Sequence, residues 1–274
     1  MTAAREAKLK AILSELGVPD AARKAHLMLG YMKLVLKRNE VMNLTAITDE
    51  DEFIEKHIAD SLAAYGRPEF IVARRVADIG TGAGFPGVPL AIACPEKAFL
   101  LIDSLRKRTD FITEACAELG IDDVQVLQAR AEEAARAPLR ESFDLVVSRA
   151  VGHLSTLCEY GLPLARVGGA LYAYKSARQV NEIEESENAR QILGAAPVAE
   201  VLTRAATPPR QPGLETAEDS VRTASIAAPT ANAHQAPAAH IIIVIRKERP
   251  TPAAYPRRAG IPAKRPLHAR LDSL

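Results

Sequence analysis

The stretch DIGTGAGFPGVPLA, Asp78 to Ala91, constrains the fold of this chain more than any other. It follows a short β-branched run and opens an apolar segment, and Gly82, Gly84 and Gly87 satisfy G-x-G-x-x-G. A turn of this kind leaves a strand, lets a ligand approach the backbone and aims a helix N-terminus at it. The sequence around it agrees. From Ile71 onward the runs IVARRVADIG, AFLLID, VQVLQA, FDLVVSRA and GALYAYK alternate with helical stretches. That alternation predicts parallel βαβ crossovers and a sheet covered on both faces.

The rest of the chain surrounds this α/β unit. Residues 1–66 read as a helical extension of about three segments, with Leu9, Ile12, Leu13, Leu16 and then Leu27, Met28, Tyr31, Leu34, Val35 at helical spacing. Asp20 and Asp49 stand where N-caps are wanted, and Gly168-Gly169 are expected to break the chain before the fifth strand. The α/β domain spans 67–248. Inside it, about 205–239 is so rich in Ala, Pro and Thr that it cannot bury enough apolar surface to offset its ordering entropy, and it reads as a mobile insertion. A strand near Pro197 to Leu202 precedes it and HIIIVIRK follows, so the two are expected to pair as an antiparallel hairpin. His234 and His240 read simply as loop residues of that insertion.

At 274 residues the chain can bury a sizeable core, and 35 basic against 34 acidic residues leave it nearly neutral. It has no apolar run of membrane-spanning length, and its start reads as an amphipathic helix, so a cytoplasmic monomer is the expectation. Cys94, Cys116 and Cys158 are odd in number, far apart and without paired histidines. Neither a disulfide framework nor a metal site is expected of them.

Dinucleotide enzymes share the glycine turn, and Asp103 at the end of the second strand suits ribose hydroxyls in either class. Asp78 discriminates. Beside a pyrophosphate a carboxylate adds like-charge repulsion, whereas beside S-adenosylmethionine it meets an ammonium and a sulfonium. The D-x-G-x-G-x-G arrangement of Asp78, Gly80, Gly82 and Gly84 therefore favours S-adenosylmethionine, and the chain after Lys175 leaves little room for the second domain of an oxidoreductase. A non-catalytic RNA-binding factor on the same fold is the other rival.

An ordered set of motifs goes further: NLTAIT (Asn43 to Thr48), HIADSL (His57 to Leu62), DIGTGAGFPGVPLA, LIDSLRKRTDFI, ARAEE, VVSRAV, YAYKS and TPAAYPRRAGIPAKRPL (Thr251 to Leu267). In these the chain resembles the ribosomal RNA small-subunit methyltransferase G family, also called glucose-inhibited division protein B. The resemblance implies a class I, Rossmann-like methyltransferase with a mostly parallel seven-stranded sheet, acting on N7 of a guanine in 16S rRNA of the small ribosomal subunit. It further implies that Gly80 and Phe85 line the cofactor, that Asp103 with its neighbours Ser104 and Leu105 takes the ribose side, and that Ala131 and Glu132 flank the adenine. Arg149 would sit where cofactor and guanine meet, with Lys175 and Asn43 at the substrate edge. Asn43 also suits the end of a helix. His57 and Asp60, spaced i, i+3, share a helix face and read as packing residues.

Guanine N7 carries a free lone pair, so methylation there needs alignment and no general base. Because the product is cationic, Arg149 and Lys175 are expected on the guanine O6 or a phosphate and not on N7. The segment 249–274 is basic. From Arg246 to Leu274 there are eight Lys or Arg against two acids, and Pro250, Pro252, Pro256, Pro262 and Pro266 suggest an extended tail that follows an RNA backbone.

Overall fold

A computed structural model of the protein describes residues 2–149, 151–197, 199–203 and 240–268. The Ala/Pro-rich insertion, including His234, lies outside the described residues. The N-terminal extension forms α1 (Thr2–Glu15), α2 (Ala21–Met42) and α3 (Glu50–Phe53), which runs on as a π-helical stretch, Ile54–Ala59, and a 3-10 turn, Leu62–Ala64. The α/β domain then follows as α4 (Pro68–Val72), β1 (Arg75–Ile79), α5 (Gly87–Ala93), β2 (Ala98–Asp103), α6 (Arg106–Leu119), β3 (Val124–Gln128), α7 (Ala131–Ala134), β4 (Phe143–Arg149), α8 (Leu154–Gly161) and β5 (Ala165–Ser176). After it come α9 (Glu182–Glu185), α10 (Glu187–Ile192), β6 (Glu200–Thr203), β7 (His240–Arg246) and α11 (Ile261–Lys264).

The seven strands lie in the order β3-β2-β1-β4-β5-β7-β6. The first five are parallel, and β7 runs antiparallel to both β5 and β6, so the expected hairpin is present. Along the strands successive residues feed opposite layers, as the two-residue period of a strand requires. Val76, Leu101, Val147 and Tyr174 pack with Tyr31 and Met32 of α2, whereas Ala77, Ile102, Val146 and Ala173 pack with Leu154 and Leu157 of α8. Ile241 to Ile245 in β7 are all buried, which explains the unbroken apolar run. Helix α6 ends at Gly120 (φ +63°), where Ile121 N donates back to Cys116 O, because a left-handed residue there lets the last carbonyls find donors.

Several expectations are corrected. The first strand starts at Arg75 and not at Ile71, because Pro68 at a helix start turns residues 68–72 into α4. Strand β5 passes through Gly168-Gly169, where its register with β4 slips; a Cβ on Gly169 would stand 2.6 Å from Asp144 O, so the glycine makes a bulge and not a break. Asp49 caps α3 by accepting from Glu52 N at 2.8 Å; Asp20 stands at the N-cap of α2, where its carbonyl accepts from Lys24 N, but it is left-handed (φ 53°) and its side chain caps nothing. The described part of the tail is not an extended arm. It lies on α7, α8 and α10, with Thr251, Pro256 and Pro262 buried and a helical turn at α11. Lys247 pairs with Glu141, Arg257 with buried Glu159, and Arg246 with Glu69 and Glu200, so much of the basic excess neutralises acids of the domain itself. Arg258, Lys264 and Arg265 are exposed; Arg270 lies outside the described residues.

Candidate functional site

The glycine turn leaves β1 at the carboxyl edge of the sheet and is tied across to β2, since Gly80 N and Thr81 N both donate to Ile102 O. Beneath it Asp78 is completely buried. Its Oδ2 accepts from Thr81 Oγ1 (2.7 Å) and Gly87 N (2.8 Å), while its Oδ1 has no partner among the described residues. Burial pushes the carboxyl up to about 6, against the hydrogen bonds from Thr81 and Gly87 and the nearby Arg149 charge.

The glycines have separate duties. A Cβ on Gly84 (φ +89°) would strike the Tyr31 hydroxyl and come within 2.8 Å of Val88, and one on Gly87 within 2.7 Å of Asp78 Oδ2, so both serve packing. Gly82 (φ +62°) differs: its Cβ would meet only Gly80 O, at 3.9 Å, which leaves an open face where a ligand can lie against the backbone. Asp103 faces the same turn, accepting from Gly82 N at 3.0 Å through Oδ2 and from Leu105 N at 2.9 Å through Oδ1. Arg108 Nη1 also approaches Oδ2, at 3.4 Å, so Oδ1, with Leu105 N as its one donor among the described residues, keeps a lone pair for a hydroxyl. Ala129 N donates to Asp103 O, bringing the start of α7 beside it. Ser104 and Leu105 are exposed at this edge. An unpartnered buried carboxylate oxygen, an open glycine and a ribose-ready acid fit a cationic adenosine compound. The Glu132 carboxylate, in contrast, is turned away to accept from Gly260 N, so this residue can flank a ligand only through its backbone.

Arg149 ends β4 on the α2 side of the sheet and lines a cleft of about 680 Å³ with Lys56, His57, Asp60, Lys175 and His240. Its Nη1 donates to Lys56 O (3.1 Å) and Asp60 Oδ2 (3.2 Å), and its Nη2 to His57 Nδ1 (3.0 Å). Because a guanidinium only donates, His57 Nδ1 must accept; its proton sits on Nε2 and is given to Thr45 Oγ1 at 2.7 Å. Burial and the Arg149 charge lower His57 to about 4, keeping the ring neutral. The ring stacks on Phe85 (centroids 5.0 Å apart), and Arg149 lies over the same Phe85 at 5.3 Å. Asp60 also pairs with His240 (2.8 Å).

His57, Asp60 and His240 are the site residues that sequence reading missed. The i, i+3 spacing of His57 and Asp60 is visible in the sequence, but an isolated helix face does not reveal that an arginine from β4 docks on it, and His240, read as a loop residue, begins β7. A π-helical stretch at this point, a feature frequent at functional sites, has no sequence signature of its own. Asn43, expected at the substrate edge, is the exposed left-handed C-cap of α2 (φ 48°) and does not line the cleft; of the same motif Ile47 lines it, and Thr45 holds His57.

Lys175 lines the cleft from the α8 side of the sheet, opposite Arg149. Its amine donates to Gly152 O (2.5 Å) and Glu182 Oε2 (2.9 Å), and Glu182 Oε2 also accepts from Leu154 N (2.7 Å). The lysine thus pins the β4–α8 connection. All three cysteines are free and buried, each thiol pushed up to about 12 by burial. Among the described residues no group of His, Cys, Asp and Glu has metal-site geometry, and no helix is long and apolar enough to cross a membrane.

A seven-stranded sheet in this order, with a carboxylate buried under its first glycine turn, defines a Rossmann-like domain of the methyltransferase type. The model of one such family, rRNA small subunit methyltransferase G, matches residues 24–207. The chain belongs to that family. A ribosomal RNA small subunit methyltransferase G from Clostridium beijerinckii is 36% identical over 254 residues, covering 92% of this chain and 95% of its own length. The corresponding protein of Desulfitobacterium hafniense is 41% identical over 238 residues, covering 86% and 87%. Among solved structures, a SAM-dependent O-methyltransferase from Thermotoga maritima overlaps with a TM-score of 0.44 at 14% identity, covering 78% of this chain and 72% of that one.

Proposed function

We propose that the chain transfers a methyl group from S-adenosylmethionine to N7 of a guanosine in 16S rRNA, by direct in-line attack without a general base. The observation that carries this reading is one glycine turn with an open face at Gly82 and a buried Asp78 beneath it whose Oδ1 has no partner among the described residues, in a member of this family. When bound, S-adenosylmethionine supplies an electrophilic methyl on sulfur. Asp78 and Asp103 hold its cationic and ribose ends, and Gly82 gives it room. Arg149, clamped by Lys56 O, Asp60 and His57, has one Nη2–H and its Nε–H unpaired among the described residues, a donor edge suited to two acceptor oxygens. Asp60 offsets the charge of that arginine, which otherwise opposes a cationic product. Lys175 acts by fixing the Gly152–Leu154 connection at the cleft mouth. The neutral His57 has both nitrogens engaged, in keeping with a lone pair on N7 that requires no deprotonation.

The test is transfer of a labelled methyl from S-adenosylmethionine to small ribosomal subunits and to free 16S rRNA, followed by mapping. Label on N7 of one guanosine is expected. Label on another atom, or on protein, overturns the assignment.

A further inference from the structure

The basic carboxyl segment is better explained by what it holds than by what it could attract. Arg257 closes on Glu159 of α8, a carboxylate with no solvent exposure: the Arg257 backbone N donates to Oε1 (2.8 Å), its Nε to both oxygens (2.8 and 3.1 Å) and its Nη2 to Oε2 (2.5 Å). Arg140 fastens the preceding stretch by donating to the carbonyls of Thr251, Pro252 and Tyr255. Seating Arg257 in this way sets Gly260, three residues on, over α7, where its N donates to Glu132 Oε1 at 2.7 Å. The other end of that turn is fixed independently, because Ala129 N donates to Asp103 O at 3.1 Å. The segment 129–132 is therefore held between the ribose-side acid of β2 and the carboxyl segment. Glu132 is itself buried, and Gly260 N is its one hydrogen-bond donor among the described residues.

We propose that residues 251–262 are a clasp for the cofactor site, with Arg257 and Glu159 as positioning residues that fix the 129–132 turn against the adenine side of S-adenosylmethionine. The inference rests on the cofactor reading given above. It predicts that loosening the clasp weakens cofactor binding and leaves RNA recognition alone, the reverse of what an RNA-gripping tail would do. A preorganised turn binds without first being ordered, and an unclasped one loses affinity by that ordering cost.

The test uses the full chain. Arg257→Ala strands a buried carboxylate, so the informative variant is the double replacement Glu159→Gln with Arg257→Met, which removes both charges; Arg257→Lys is the conservative partner. Calorimetric titration with S-adenosylmethionine is expected to give a dissociation constant at least tenfold above wild type for the double variant and intermediate for Arg257→Lys. KM for rRNA, measured at saturating cofactor, is expected to stay within twofold. Irreversibly misfolded protein lowers the number of binding sites in the titration, and a thermal melt of each unliganded variant gives the folded fraction by which reversible unfolding raises the apparent dissociation constant, so the effects separate. Folded double variant with wild-type cofactor affinity overturns the clasp, as does raised KM for RNA with unchanged cofactor affinity. Wild-type protein that binds no S-adenosylmethionine overturns the functional reading itself, and the clasp with it.

Discussion

Replacing Asp78 by Asn tests whether a destabilising charge is stored under the glycine turn. The carboxyl is completely buried and burial raises it from 3.8 to about 6, so the folded protein binds a proton more tightly than the unfolded chain. The stability tied to the protonated form is complete below about pH 4 and is lost as pH rises through 6. Two units at about 1.4 kcal/mol each make the charged form cost about 3 kcal/mol at pH 7.5. Asn keeps an acceptor for Thr81 and Gly87 but cannot ionise. The stability difference, variant minus wild type, should therefore rise by about 2.5 kcal/mol between pH 4 and pH 7.5, or roughly 5 °C in relative Tm for a domain of this size. Subtracting the two proteins cancels the other titrating groups. Binding follows the opposite course: a cationic ligand beside Oδ1 restores the carboxylate, so wild-type affinity for S-adenosylmethionine should climb through pH 6 while the variant binds weakly at every pH. Paired thermal melts and titrations from pH 4 to 8 measure both. A variant-minus-wild-type difference that stays flat with pH would refute the reasoning.

The remaining tests are shorter. Gly82→Ala should keep the fold, losing about 1–2 kcal/mol to the left-handed backbone, yet weaken cofactor binding at least tenfold; Gly84→Ala adds a clash with Tyr31 and Val88 and should lose a further 1–3 kcal/mol or so in denaturant melts. Arg149→Ala and Lys175→Ala should each lower methylation more than tenfold in single-turnover assays, with cofactor affinity less affected than by Asp78→Ala; equal loss of binding in all three would contradict their assigned places. His57→Phe preserves a ring against Phe85 but takes the acceptor from Arg149 Nη2 while Nη1 keeps Lys56 O and Asp60, so kcat should fall while Tm moves little, and an unchanged kcat would make the imidazole mere packing.

The features that were legible in the sequence are those set by local rules. The turn at Gly82 and Gly84, the acid at Asp103 and the strand alternation each follow from backbone conformation or a short period, and the structure has them where the sequence indicates. What failed depends on partners far along the chain. Asp60 meets Arg149 and His240 only because the helical extension folds over the sheet edge, across 89 and 180 residues. The carboxyl segment looked like a free cationic arm because Glu141 and Glu159, which neutralise Lys247 and Arg257, lie about a hundred residues earlier. Asn43 was drawn to the site by its motif, and its left-handed conformation shows the turn chemistry that the motif also encodes.

The pairing of β6 with β7 places Thr203 opposite Ile241. Two points of the backbone separated by nearly forty residues are thereby made immediate neighbours, and the sheet fixes them whatever the length of chain that joins them. Closing a longer connection costs only about 0.6 kcal/mol for each doubling. This edge of the domain is thus a natural grafting port: a fluorescent reporter or affinity peptide spliced between residues 203 and 240 would enter and leave at adjacent positions, close enough to the cleft through His240 to report on its occupancy.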